Sequence, residues 1–344
     1  MTEAAAIAAT NTAGTPTAPP AQPLTAVSVR GLVKRYGEIE AVRGIDFDVT
    51  PGETFGFLGP NGAGKSTTIK ILCTLAMPTA GSATVAGYDV VTERDDVRRN
   101  IGLVFQDPTV DTYLTAELNL RFHAELYGVP REVVPDRLRQ VLTMVNLWDR
   151  RTDRVETFSG GMKRRLEIAR GLLHSPRVLF LDEPTVGLDP QTRSAIWGYI
   201  NELKATEDIT IFLTTHYMDE AEYCDRIAII DQGQIVVLDT PEALKASVGK
   251  DRVQISTVDD AAAITALADH FGLPAAVHEG AVTFSVASGE EFVPKLFAEL
   301  GVPIRSVSVA RPSLDDVFMS YTGNTIRDAE AASGRDIMRH FARR

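Results

Sequence analysis

A glycine-rich segment between a predicted strand and a predicted helix constrains the fold more than any other feature. Residues 59–66 are Gly-Pro-Asn-Gly-Ala-Gly-Lys-Ser, which fits the pattern G-x-x-x-x-G-K-[ST]. The apolar run Thr54 to Leu58 precedes this segment, and helical spacing follows from Thr67. Glycines let backbone N–H groups converge on phosphates, and the helix N-terminus adds a positive dipole end. The segment therefore predicts a phosphate-binding loop in an α/β fold.

The side chains of this loop predict a nucleotide site. Lys65 is expected to reach the β- and γ-phosphates, and the Ser66 hydroxyl is expected to bind Mg²⁺. The other predicted nucleotide contacts of the loop are Gly59, Asn61, Gly62, Gly64 and Thr67. ATP and Mg²⁺ are the expected cofactors. The loop by itself fits a kinase, a GTPase, a motor or a transporter.

A second predicted strand ends in two acidic residues. The apolar residues Val178 to Leu181 precede Asp182 and Glu183, and such a run is typical of a strand buried on both faces. Ligands of open α/β sheets bind at the carboxyl ends of the strands. Asp182 is therefore expected to hold Mg²⁺ through water, and Glu183 to polarise the attacking water as general base. Adjacent acids after a strand also occur as loop charges or as a helix cap.

Apolar spacing divides the chain into segments. Residues 1–23 are rich in Ala, Pro and Thr, which predicts a disordered tail. From residue 24 to residue 246, short β-branched runs alternate with helical stretches, as in a domain with a mostly parallel sheet. Helical spacing replaces the strand pattern at about 107–158, where we expect a helical insert.

The pattern restarts after this domain. Residues 247–323 follow the order strand, helix, strand, strand, helix, strand, which predicts a small α+β unit of the ferredoxin-like type. A further helix is predicted near Leu314 to Tyr321. Residues 324–344 form a tail with a basic end.

Composition bears on localisation and partners. The net charge of -11 opposes general binding to nucleic acid, and we expect the basic run Lys163 to Arg165 to lie on a solvated helix face. No apolar run approaches the roughly 20 residues of a membrane span, and no signal segment opens the chain. Cys73 and Cys224 show no metal-ligand spacing, so buried thiols are expected.

The segment Phe158 to Arg170 resembles the signature of ABC ATPases. Ser159, Gly160 and Gly161 precede a predicted helix, where a hydroxyl, backbone amides and the helix dipole form a second anion site. The resemblance implies that this site contacts the γ-phosphate held by an opposite subunit. Met162 occupies the position where the family usually has Gln. The resemblance also implies the family's fold: a P-loop α/β core with an antiparallel β subdomain and a helical insert.

Four further residues match family positions. Tyr36 resembles the aromatic residue that stacks on adenine, and Gln106 resembles the Gln that contacts Mg²⁺ or the attacking water and senses the membrane partner. Asp189, in Gly-Leu-Asp, resembles the loop that communicates across the dimer, although an Asp before Pro190 is equally a helix cap. His216, in Leu-Thr-Thr-His, resembles the residue that contacts the γ-phosphate and positions the catalytic water.

These resemblances imply a two-fold homodimer that sandwiches two ATP molecules. Three classes of protein have a phosphate loop of this kind: a transporter subunit, a soluble ABC protein of translation or DNA repair, and a P-loop enzyme outside the family. The signature argues against the third class. The second class usually has tandem cassettes or a long coiled coil, and this chain has neither a second cassette nor sustained heptads.

The C-terminal part carries a more specific resemblance. Residues 311–318, Arg-Pro-Ser-Leu-Asp-Asp-Val-Phe, and Tyr321 to Gly323 resemble the C-terminal signature of the daunorubicin-resistance family of exporter ATPases. That resemblance implies ATP-driven export of a hydrophobic antibiotic or a lipid through a separate permease at the cytoplasmic face of the membrane. Residues 107–122, with Tyr113 and Leu114, are the predicted docking segment. An importer ATPase is the alternative, but importer ATPases tend to end in an all-β accessory domain.

Overall fold

The computed structural model describes residues 25–323, apart from residue 279. The predicted tails, 1–23 and 324–344, lie outside the described residues. The strands of the described part are, in chain order, β1 (Val27–Tyr36), β2 (Ile39–Val49), β3 (Thr54–Leu58), β4 (Ala80–Val85), β5 (Tyr88–Asp89), β6 (Ile101–Val104), β7 (Val178–Asp182), β8 (Thr210–Thr215), β9 (Arg226–Asp231), β10 (Gln234–Asp239), β11 (Asp251–Thr257), β12 (Ala276–His278), β13 (Ala281–Val286) and β14 (Ile304–Ala310).

Helices alternate with these strands. They are α1 (Lys65–Leu72), α2 (Arg94–Asn100), α3 (Ala116–Leu126), α4 (Val134–Met144), α5 (Gly160–Leu172), α6 (Pro190–Thr206), α7 (Met218–Ala221), α8 (Pro241–Val248), α9 (Asp260–Phe271), α10 (Gly289–Glu299) and α11 (Leu314–Thr322). None of the helices in the described part of the chain combines the length and apolar character that crossing a membrane requires.

A six-stranded sheet in the order β10-β9-β3-β8-β7-β6 forms the centre of the larger unit. Its strands run parallel except β10, which pairs antiparallel with β9. The register pairs Leu58 with Thr215, Thr214 with Asp182, and Leu181 with Val104. The carboxyl ends of β3, β8, β7 and β6 are therefore level, and the loops that follow these strands meet at one edge of the sheet.

Two apolar cores cover the faces of this sheet. On one face, Phe47 of the antiparallel sheet β2-β1-β4-β5 packs against Phe55, Phe57 and Phe212, with ring centroids 5.2–5.9 Å apart. The other face contacts the core that contains α5, α6 and the helical insert of α3 and α4. The predicted α/β fold, with its antiparallel subdomain and helical insert, is confirmed. Cys73 and Cys224 are free and buried, as expected.

The C-terminal unit has a separate core. Its antiparallel sheet has the order β12-β13-β11-β14, and α9 and α10 cover one face, which is the ferredoxin-like arrangement. The chain then returns to the larger unit, because Leu314, Val317 and Phe318 of α11 are buried with Leu244 of α8 in the core beneath the central sheet. The last described helix therefore anchors the accessory unit to the nucleotide-binding unit.

Candidate active site

The predicted phosphate loop joins β3 to α1 in the conformation that its sequence requires. Gly64 has φ +108°, and a Cβ at this residue would lie 2.5 Å from the carbonyl oxygen of Ala41. A Cβ at Gly59 would lie 2.2 Å from the carbonyl oxygen of Ile230. No residue with a side chain fits at either position without a shift of the backbone. The two glycines thus let the loop close tightly over the sheet edge.

Lys65 points back into this loop. Its side chain is 4 % exposed, and Nζ donates to the carbonyl oxygens of Gly59, at 2.6 Å, and Pro60, at 3.1 Å. The same ammonium lies 3.4 Å from Glu183 Oε1. The lysine is thus held where a phosphate group would meet the loop amides.

The acidic end of β7 faces the loop. Ser66 Oγ donates to Asp182 Oδ1 at 3.1 Å, and the Thr214 hydroxyl donates to the same oxygen at 2.6 Å. Asp182 is buried. A hydroxyl and a carboxylate oxygen are therefore adjacent at the start of α1, and both are hard oxygen ligands of the kind that Mg²⁺ prefers.

Glu183 lies at the centre of the predicted catalytic residues. Its buried carboxylate is 3.4 Å from Lys65 Nζ, 3.4 Å from His216 Nδ1 and 3.3 Å from Gln106 Nε2, which donates to Oε2. Burial raises the pKa of Glu183, but the His216 ring and the Lys65 ammonium outweigh burial and hold this pKa below its usual value. The carboxylate is therefore ionised near neutral pH and can accept a proton.

These residues line one small cleft of about 140 Å³. Its lining residues are Ala41, Pro60, Asn61, Gly62, Gly64, Lys65, Ser66, Thr67, Gln106 and Glu183. The structure thus brings together the phosphate loop, the acidic end of β7 and Gln106, which lies two residues after β6. Strand patterns predicted the first two at the ends of their strands, and the family resemblance predicted Gln106.

The signature segment lies outside this cleft. Ser159 is the N-cap of α5, with its hydroxyl accepting from the N–H of Met162 at 3.3 Å, and both Ser159 and Gly160 are exposed. Gly161 is buried against α6, and a Cβ at this residue would lie 2.3 Å from the Thr192 side chain. Met162 packs against the core below. The N-terminus of α5 therefore faces solvent.

Two further predicted residues also lie outside the cleft. Asp189 is the N-cap of α6. Its carboxylate accepts hydrogen bonds from the Thr192 N–H, at 3.0 Å, and from the Thr192 hydroxyl, at 2.6 Å, as expected for a helix cap. Tyr36 ends β1 with 48 % of its surface exposed, and Lys34 Nζ lies 4.7 Å from its ring centroid. Roles for Asp189 across a dimer and for Tyr36 on adenine remain predictions.

Comparison with known proteins identifies the family. A family model described as "ABC transporter" matches residues 42–186, and one described as "ATP-binding protein DrrA1-3-like, C-terminal domain" matches residues 240–322. The linearmycin resistance ATP-binding protein LnrL of Bacillus subtilis is 39% identical over 88% of this chain and 100% of its own length. The chain belongs to the ATP-binding proteins of ABC transporters. The daunorubicin/doxorubicin resistance ATP-binding protein DrrA of Streptomyces peucetius is also 39% identical, over 89% of this chain and 95% of its own.

Solved structures of ABC cassettes share the fold of this ABC protein. CbiO1 from Clostridium perfringens, part of the transporter complex cbiONQ, has a TM-score of 0.61 at 28% identity and covers 64% of this chain and 91% of its own. The cassette MJ0796, solved as a dimer in a post-hydrolysis state with ADP and Pi, has a TM-score of 0.56 at 27% identity, covering 62% and 98%. This ABC protein is accordingly an ATPase.

One sequence expectation for this ABC ATPase was wrong. Arg164 belongs to the basic run that we assigned to a solvated face, yet it is 6% exposed and forms an ion pair with buried Glu167 at 3.2 Å. The i,i+3 spacing of these opposite charges on α5 was the available signal. Thr214 was also missed as a functional residue, although it lies two residues before His216 and contacts Asp182. Lys163 and Arg165 are half-buried.

Proposed function

We propose that this ABC ATPase drives export of a hydrophobic drug, antibiotic or lipid through a separate permease at the cytoplasmic face of the membrane. The proposed hydrolysis of ATP is supported by one observation: Lys65, Gln106 and His216 all lie close to the Glu183 carboxylate. The export half is supported by relatives whose names specify resistance to linearmycin and daunorubicin, and which match along nearly the whole chain. The ferredoxin-like accessory unit argues against an importer ATPase.

Hydrolysis requires a base beside the γ-phosphate. Glu183 is ionised, and its neighbours Gln106 and His216 are placed to orient a water between the carboxylate and the phosphate. Lys65 Nζ lies 3.4 Å from Glu183 Oε1. We expect the ATP phosphates to draw this ammonium away, because a phosphate is the stronger partner for a lysine in this loop. ATP binding would then free Oε1 to accept the proton of the attacking water.

Mg²⁺ fits the residues present. Ser66 Oγ and Asp182 Oδ1 lie 3.1 Å apart, and the described residues hold no cluster of three or more His, Cys, Asp or Glu side chains that could cage a metal alone. Mg²⁺ in nucleotide enzymes is commonly bound by one or two protein oxygens together with phosphates and water. Ser66 and Asp182, with Gln106 nearby, would hold the ion, which when bound neutralises charge on the phosphates.

A homodimer completes each nucleotide site in this proposal. Ser159 and Gly160 present a hydroxyl and the N-terminus of α5 to solvent, an arrangement that binds anions. Two-fold symmetry lets the signature of one chain face the phosphate loop of the other, so both sites are equivalent. The dimeric MJ0796 cassettes support such an assembly. ATP closes the dimer by binding the closed state better than the open state.

A groove between the end of α1 and the elements α2, β6, α3 and α5 is the proposed permease site. Its volume is about 360 Å³, and its lining combines apolar Leu75, Leu103 and Phe105 with basic Arg98 and Arg170. Tyr113, on the loop between this groove and α3, is 78 % exposed. The groove suits a short amphipathic helix that carries an acidic residue, because the apolar face would pack on the floor and the acid would meet the arginines. Phe105 joins the groove directly to Gln106.

Replacing Leu75 with Glu is expected to abolish drug efflux while ATP binding survives. A carboxylate on the apolar groove wall would be desolvated by a docked helix, so the permease would dissociate. The measurement is efflux of a fluorescent anthracycline from cells that express the chain with its permease, together with ATP affinity of the purified variant.

Phe297→Glu is the matched control, because Phe297 is 56% exposed, close to the 54% of Leu75, but lies on α10 of the accessory unit. We expect efflux with this variant to match that of the unmodified chain. Equal efflux by the Leu75 variant and the control would exclude this groove as the permease site. Absence of efflux from cells with the unmodified pair would argue against drug export itself.

His123, in the wall of the groove, makes stability depend on pH. Burial, followed by the charge of Arg170, lowers the pKa of His123 from 6.5 to about 4. Between these values the unfolded chain binds a proton that the folded chain does not, so stability falls as pH falls through this window. Between pH 7 and pH 4.5 we expect the free energy of unfolding to fall for the unmodified chain. After allowing for the partial exposure of His123, we expect this fall to be about 1 kcal/mol smaller in His123→Gln. Urea unfolding at both pH values measures this difference, and parallel losses would contradict it.

A further inference from the structure

The backbone of Glu183 has an unusual conformation. Its φ is +45°, in the left-handed region that is unfavourable for any residue with a Cβ. Such a conformation persists only where surrounding contacts determine it, and these residues cluster at functional sites. Glu183 is also the residue on which Lys65, Gln106 and His216 converge. The contacts that hold this backbone therefore control where the carboxylate points.

Arg164 of α5 contacts the backbone of Glu183 and of both its neighbours in the chain. Its guanidinium donates from Nε to the carbonyl oxygen of Pro184 at 2.6 Å. Nη2 donates to the carbonyl oxygens of Asp182, at 3.1 Å, and Glu183, at 3.3 Å. Nη1 donates to the carbonyl oxygen of Phe105, the residue before Gln106. One side chain thus binds three consecutive carbonyls around Glu183 and one beside Gln106.

A second buried group keeps this guanidinium in place. Glu167, one turn along α5, accepts from Arg164 at 3.2 Å and is itself fully buried. Its other carboxylate oxygen accepts from the N–H of Thr109, at 2.6 Å, and from the Thr109 hydroxyl, at 3.1 Å. Burial lowers the pKa of Arg164, and the Glu167 carboxylate counters that shift. The buried guanidinium therefore has a carboxylate partner as well as the backbone carbonyls that it binds.

We propose that Arg164 is a positioning residue for Glu183, holding the left-handed backbone that aims the carboxylate at the attacking water. The proposal rests on the proposed function, in which Glu183 is the general base. Thr214 completes the support, because its hydroxyl accepts from the Glu183 N–H at 3.0 Å. Since α5 begins at Gly160, the helix that presents Ser159 to the opposite nucleotide site also fixes the base of its own site.

The chemistry of the guanidinium group explains how Arg164 can hold several backbone carbonyls at once. A planar guanidinium has five N–H donors in a rigid fork and can bind several carbonyls at once. A lysine ammonium at the same position would keep the positive charge opposite Glu167 but would be a point donor on a flexible stem. Arg164→Lys therefore tests geometry while retaining the ion pair.

We expect Arg164→Lys to lower kcat for ATP hydrolysis roughly 10- to 100-fold, because misplacing a catalytic group by about 1 Å has effects of this size. KM for ATP should stay within about twofold, because the loop that binds the phosphates is unchanged. Arg137→Lys is the matched control: Arg137 also donates to two backbone carbonyls, Leu172 at 2.6 Å and Leu173 at 3.2 Å, but at the far end of α5. Its turnover should be that of the unmodified protein.

A double-mutant cycle separates positioning from a structural role. In the Glu183→Gln background, Arg164→Lys should cause no further loss of the residual turnover, whereas equal losses in both backgrounds would overturn the proposal. If Arg164→Lys does not fold, the pair Arg164→Gln with Glu167→Gln removes both charges and should show the same loss of kcat. If Arg164→Lys keeps full kcat while Glu183→Gln is inactive, the positioning role of Arg164 is rejected and the role of Glu183 as base is retained. Full turnover in Glu183→Gln would instead reject Glu183 as the general base, the part of the proposed function on which this inference rests.

Discussion

Glu183→Gln is expected to lower ATP turnover at least about 100-fold, because a general base contributes about 10²–10⁴ to the rate. The amide of Gln has nearly the shape of the carboxylate but cannot accept the proton of the attacking water. ATP should still bind, because the phosphate loop and Ser66 are unchanged. Steady-state phosphate release gives the turnover, and calorimetry with ATP gives the affinity.

Glu222→Gln is the control for this substitution. Glu222 is an exposed carboxylate six residues after His216, and it pairs with Lys245 at 2.6 Å, outside the cleft. Loss of the Glu222 carboxylate should leave ATP turnover unchanged, because surface ion pairs contribute little to protein stability. Turnover of Glu183→Gln equal to that of the control would remove Glu183 as the base and would leave His216 or Gln106 to be tested in its place.

Lys65→Ala is expected to weaken ATP binding roughly 100-fold, since charged hydrogen bonds to phosphate contribute about 1.5–3 kcal/mol each. The substitution also leaves the carbonyls of Gly59 and Pro60, and the Glu183 carboxylate, without their buried partner. We therefore expect a lower melting temperature in the absence of nucleotide. Titration of ATP at fixed Mg²⁺ measures the loss of affinity.

Lys70→Ala provides the comparison, because Lys70 is exposed and lies in the last turn of the same helix, α1. Its ATP affinity should equal that of the unmodified chain. Because Lys65→Ala is expected to be less stable, the binding data should be taken below its own melting temperature. Unchanged ATP affinity in folded Lys65→Ala would exclude the phosphate-loop assignment.

The sequence predicted the parts of the site that depend on local order. Buried strands are continuous apolar runs, so β3 and β7 could be placed from composition, and the residues that follow them had to emerge at one sheet edge. The family resemblance predicted Gln106 and His216 as site residues. Their convergence on Glu183 follows from the level register of the parallel strands.

Other features depend on contacts between distant segments. Arg164 belongs to a basic run, and only the packing of α5 against the ends of β6 and β7 turns its side chain inward. The left-handed backbone of Glu183 likewise has partners on α5 and β8, in addition to the local hydrogen bond from the Val186 N–H to its carbonyl oxygen. The return of α11 to the core of the larger unit could not be read from its capped-helix motif, because Ser313 and Asp316 specify where the helix begins and not what it packs against.

The composite, ATP-dependent dimer is the central claim, and the molar mass of the Glu183→Gln protein in solution tests it most directly. Light scattering after size exclusion should give about one chain mass, 37.4 kDa, without nucleotide, and about twice that mass with saturating ATP and Mg²⁺. The slow variant is used because hydrolysis would otherwise separate the two halves. A monomer mass at saturating ATP, with ATP binding shown in the same sample, would contradict the account.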